Sequence, residues 1–229
     1  MWLVLCTSIV GTLAAYLAVC RLHRKYPANP LANVVVLSAL LVVTGLVLCD
    51  VSYEEYKPAS DIMSFLLGPT TVALALPLYR FRYILLRNLV PICVSVAAGA
   101  FASMLVAMGL CHLGGLDVVV IMSIMTKSVT IPFAVDIAPQ YGGNAALAIA
   151  FVCFTGTSGT VFGCATLTLL RMKRPFARGL ALGTLSHGVG IAAAVQESEE
   201  AGAMASIAMI LAGVMTTLLA PVVVWMLGL

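Results

Sequence analysis

Apolar residues run along this chain in eight stretches, at about 1–20, 31–49, 62–79, 89–111, 116–138, 145–170, 179–195 and 201–228, parted by short polar clusters. A helix that crosses a bilayer needs about 20 such residues, which leaves 179–195 marginal. The pattern predicts an all-α polytopic membrane protein with about 7–8 hydrophobic segments in a single transmembrane domain, residues 1–229. In the first stretch the charges follow the apolar run, so it is expected to be the first transmembrane helix and not a cleaved leader.

Three clusters of positive charge set an orientation. They are Arg21 to Lys25, Arg80-Phe81-Arg82 with Arg87, and Arg171 to Arg174 with Arg178, and the positive-inside rule puts all three in the cytoplasm. The acidic loop from Asp50 to Asp61 then lies outside, as does the N-terminus. Three apolar segments, starting near 89, 116 and 145, connect the cytoplasmic Arg87 to the cytoplasmic Arg171, where only an even number of crossings fits. One of the three does not span. Residues 116–138 are the candidate, because Lys127, Pro132 and Asp136 interrupt them.

Composition strengthens this reading. The chain is 62% hydrophobic and 9% charged, with a mean hydropathy of +1.11, whereas soluble domains have roughly a quarter of their residues charged. The net charge of +3 therefore reflects loop placement, and no nucleic-acid partner is expected. Seven cysteines are scattered without a CxxC pair or His/Cys ligand spacing, so no disulfide framework, metal or cofactor is expected. There is no HExxH or GxSxG, and the adjacent Ser186 and His187 would point about 100° apart on a helix, so the chain is not expected to be an enzyme.

Candidate chemistry gathers where apolar runs are broken. Ionisable groups at bilayer depth usually face a bundle interior or a water-filled cavity, and Pro132 removes a backbone donor beside Lys127, Ser128, Thr130 and Asp136. A second broken element is expected near 183–192, where Gly183, Gly188 and Gly190 surround Ser186 and His187. A third is expected near 68–77, where Gly68, Pro69 and Pro77 bracket Thr70 and Thr71. Each precedes a hydrophobic helix with a small-residue site at similar distance: Pro77 to Gly99 is 22 residues, Pro132 to Gly156 is 24 and Gly190 to Gly213 is 23. The spacing points weakly to inverted repeats, whose broken helices mark a transporter's midplane site. Gly156 and Gly159 read as a close-packing face. Arg171 to Arg178 reads as a topology determinant, and Glu197, Glu199 and Glu200 as a solvated turn.

The stretches Phe65 to Tyr79, Lys127-Ser128-Val129-Thr130 with Pro132, and Ala177 to Thr184 followed by Ser186-His187 resemble, in order and separation, the LrgB/CidB family. That family includes the domain of the plastid glycolate/glycerate transporter. Thr126, Ile131 and Ile191 stand where the family commonly has proline, threonine and threonine. The resemblance implies one of two roles. One is transport of small monocarboxylates such as glycolate, glycerate or pyruvate. The other is antiholin-like control of murein hydrolases and autolysis beside an LrgA/CidA-type partner.

The reading on these grounds is a multi-pass protein of the bacterial inner membrane that carries a small organic anion by alternating access. Lys127, Ser128, Thr130, Thr70, Thr71, Ser186 and His187 are expected to bind the substrate, with His187 or Asp136 coupling a proton. A homodimer is expected by analogy with transporters of this construction.

Overall fold

The computed structural model describes residues 2–25, 34–66, 69, 72–73 and 75–229. Among the described residues every regular element is helical, and the chain divides into two compact units, Met1–Thr70 and Thr71–Leu229. Gly68, Thr70 and Thr71 lie outside the described residues.

The first unit holds α1 (Trp2–Lys25), α2 (Val34–Leu48) and α3 (Tyr53–Phe65). The sequence of α2 is apolar nearly all round, as befits a helix shielded from water on every side. The acidic stretch expected to be an outer loop is largely helical. Ser52 Oγ accepts from the Glu55 N–H at 3.3 Å while Glu55 Oε2 accepts from the Ser52 N–H at 3.0 Å, a capping box that starts α3. The hydroxyls of Thr12 and Tyr56, 3.1 Å apart, tie α1 to α3.

The second unit begins with α4 (Ala75–Arg80) and α5 (Arg82–Arg87) and continues with α6 (Leu89–Leu113), α7 (Val118–Ile124), α8 (Ile131–Gln140), α9 (Ala145–Leu169), α10 (Pro175–Glu197) and α11 (Glu199–Leu227). Polar residues start the helices. Asp117 caps α7, Asn144 caps α9 through the N–H groups of Ala146 and Leu147, and Ser198 caps α11. By length and composition, five helices among the described residues suffice to cross a membrane, Leu5–His23 within α1, then α6, α9, α10 and α11, although α10 is broken at His187.

Residues 116–138 do not form one helix. α7 has seven residues and α8 ten, about 10 and 15 Å of length against a hydrocarbon core of about 30 Å. They fold back on each other, since the Asn144 N–H that follows α8 donates to Ser123 Oγ of α7 at 2.8 Å. A Cβ at Gly143 would lie 3.0 Å from the Ser123 nitrogen, so the chain returns along its own path. Pro132 stands at the start of α8, where its missing N–H costs nothing.

α10 also turns back on itself. Arg178 and Glu197, 19 residues apart, join through two contacts, Nε to Oε2 at 2.6 Å and a terminal guanidinium nitrogen to Oε1 at 2.5 Å. In a straight helix they would stand roughly 28 Å apart. The reversal is at His187, whose φ of 40° and ψ of −128° lie outside helical space. Residues 175–186 and 188–197 become two antiparallel arms, packed so closely that a Cβ on Gly190 would strike the Leu182 carbonyl. Glu197 is exposed, as a solvated turn would leave it, and is also the ion-pair partner of Arg178.

Small residues let α10 lie against α11. Gly179 and Gly183, one turn apart, face the backbone at Ala201 and Ala205, and Ala201 to Ala205 are buried apart from no residue of that run. Ile92 and Val96 of α6 close the same core with Met204 and Ile207. The outer faces stay apolar: Phe154, Phe162 and Leu169 of α9 and Trp225 of α11 are exposed, as lipid-facing side chains are.

His187 is a non-glycine residue at positive φ, a conformation that costs about 1–3 kcal/mol. His187→Gly is therefore expected to melt higher than His187→Ala, by the equivalent of about 1 kcal/mol. Thermal unfolding of both variants in detergent checks this, and equal midpoints would remove strain from the account of the turn.

Candidate functional site

The turn between α7 and α8 places Lys127 against α6. Its Nζ donates to Ser103 Oγ at 2.7 Å and to Ser128 Oγ at 3.1 Å, and the two hydroxyls are 2.9 Å apart. Ser103 lies near the middle of the 25-residue α6, so the cluster is far from either helix end. Among the described residues no carboxylate pairs with Lys127. A half-buried ammonium without a counterion is unusual, since charges leave water readily only when paired.

Lys127 and Ser103 open onto a groove of about 560 Å³ whose walls include Ala102, Val106 and Leu110 of α6 and Leu185 of α10. Leu185 precedes the turn at His187, and Gly99 of α6 meets Thr184 of the same arm at 3.1 Å from its would-be Cβ. The two fold-backs thus share one groove along α6.

His187 itself turns towards α9. Its Nε2 carries the proton, because the partner at 3.0 Å is the Val152 carbonyl, and Nδ1 is left as the acceptor nitrogen. The ring lies over Gly156, where a Cβ would be 2.6 Å from the imidazole. Val152 also packs with Val129 of the Lys127 turn in one buried cluster, so both turns reach the same level of α9. Their bases lie at its opposite ends: the α7–α8 pair leads directly into Asn144, while Arg178 of α10 bonds the Met172 carbonyl and approaches Thr168.

Two expected site hydroxyls, Thr130 Oγ1 and Ser186 Oγ, are buried without a hydrogen-bond partner. Thr130 begins α8 without capping it, and Ser186 Oγ faces Gly159 of α9. Buried polar groups are nearly always paired, which sets these two apart from the other hydroxyls of their segments. Asp136 is exposed on α8, away from this cluster, and only its carbonyl bonds, to Gln140. Pro69 is exposed and Pro77 belongs to α4. Gly188 has open space around its Cβ position. Sequence reasoning missed Ser103, a lone hydroxyl with no proline or glycine beside it, and the Arg178–Glu197 bond, whose partners look remote until α10 is folded.

Long apolar helices, lipid-type outer faces and a polar cluster buried between two folded-back segments define a multi-pass membrane protein. The LrgB-like family model matches residues 12–226, and the chain belongs to that family. It is 36% identical over 218 residues to the uncharacterized protein YxaC of Bacillus subtilis, covering 95% of this chain and 94% of the relative. To the uncharacterized protein YwbG of the same organism it is 35% identical, covering 93% and 95%. To the holin-like protein CidB of Staphylococcus aureus it is 30% identical, covering 94% of each. No solved structure matches.

Proposed function

We propose that this protein is an inner-membrane carrier of small monocarboxylates of the glycolate, glycerate and pyruvate kind, working by alternating access with proton coupling through His187. The observation that carries the reading is the Lys127 ammonium, held by two hydroxyls with no carboxylate partner, at the wall of a groove. An anion supplies the missing countercharge.

The fold-backs support a pair of re-entrant hairpins entering from opposite faces of the membrane. Hairpin and following helix, 118–169 and 175–227, form two halves with reciprocal packing. Gly156 of α9 seats His187 of the second hairpin, and Gly213 of α11 seats the Phe133 ring of the first, at 2.8 to 2.9 Å from its would-be Cβ. Gly156 and Gly213 each stand 12 residues after the aligned positions Asn144 and Ala201. This reciprocity favours an inverted repeat, the usual frame of a midplane transport site.

The printed name of the CidB relatives favours a second reading, an antiholin-like regulator of murein hydrolases acting with an LrgA/CidA-type partner. Both readings accommodate a homodimer. Uptake of labelled glycolate, pyruvate and lactate into proteoliposomes holding this protein alone separates them. The carrier reading expects saturable uptake that an inward proton gradient stimulates severalfold, with the stimulation lost in His187→Ala because Nδ1 is gone. Absence of uptake by folded protein would favour the regulator.

A further inference from the structure

Resting on the carrier reading, we infer that Ser103, Lys127 and Ser128 form a two-donor clamp for one carboxylate, and that the groove beyond it favours monocarboxylates over dicarboxylates. The argument is a count of protons. A lysine ammonium has three donors, and two are used by Ser103 and Ser128. Each serine hydroxyl accepts from Lys127 and retains one proton. Only one of these is needed for the contact between the hydroxyls. Ser128 is buried and Ser103 lines the groove, so Ser128 donates to Ser103 and the Ser103 proton faces outward.

The cluster is left with one N–H and one O–H side by side, which matches the two oxygens of a single carboxylate. Beyond them the groove presents Ala102, Val106, Leu110 and Leu185. A second carboxylate would meet no cation there. Sites that leave a buried polar group unpaired discriminate strongly against it.

The test is inhibition of labelled pyruvate uptake in proteoliposomes by unlabelled propionate and malonate, with wild type, Ser103→Ala and Ser103→Thr. Propionate is expected to compete about tenfold better than malonate. Ser103→Ala should raise KM for pyruvate about tenfold with Vmax little changed, and Ser103→Thr, which keeps the hydroxyl, should restore it. If malonate competes as well as propionate, or KM is unmoved in Ser103→Ala, the clamp is wrong while the carrier stands. If folded wild type takes up no monocarboxylate, both fall. Should Ser103→Ala not fold, the shift in wild-type melting temperature with propionate against malonate decides, and equal shifts overturn the clamp.

Discussion

Lys127→Met should abolish uptake and yet leave a protein that is at least as stable as the wild type. Removing one partner of a buried charge contact costs 2–5 kcal/mol of binding, roughly 30- to 5,000-fold, so saturable uptake at micromolar acid should vanish. Stability moves the other way. The ammonium is held by Ser103 and Ser128 alone, and an apolar side chain of similar length relieves its desolvation while filling the same space. A lysine kept for structure would show the reverse, a fall in melting temperature with transport intact in whatever folded. Uptake and thermal unfolding measured on one preparation therefore separate function from scaffolding. A Lys127→Met protein that transports normally would remove the anion site.

Gly183→Ala should lose most of the folded protein. A Cβ there would lie 2.6 Å from the Ala205 Cα and against its carbonyl, and neither atom can move without displacing α11. Overpacking of this kind costs about 1–3 kcal/mol or more. Gly188→Ala, five residues on, meets nothing within 4 Å and is expected to be neutral or slightly stabilising. Melting in detergent with size-exclusion profiles compares the two. Equal midpoints would mean that α10 and α11 are less tightly joined than the geometry requires.

These segments were legible because lipid and water impose opposite compositions: α1, α6, α9 and α11 each coincide, to within about five residues, with an apolar run read directly from the chain. Pro132, with the polar residues before it, marked the place where α7 gives way to α8, and the glycines around His187 marked the reversal of α10. Serine 103 was not legible. A single hydroxyl in an apolar helix usually bonds its own backbone, and only the approach of Lys127 from 24 residues away gives it another role. The ion pair of Glu197 was not legible for a related reason, since its neighbours in sequence are acidic and solvent-facing while its partner is 19 residues back. The acidic residues between Asp50 and Asp61 suggested a loop, although Ser52 and Glu55 have the spacing of a capping box. Thr70 and Thr71 lie outside the described residues, so their part in the site rests on the sequence reading.

The unpaired ammonium at Lys127 has an electrical consequence in a carrier. On the proposed carrier reading, a bound carboxylate cancels the Lys127 charge while a proton on His187 adds one, so the loaded site carries one positive charge, as does the empty site with a neutral His187. Moving one elementary charge across the full potential is worth about 2.3 kcal/mol per 100 mV. A potential negative inside then biases both halves of the cycle alike, and one turnover, an acid anion with a proton, moves no net charge.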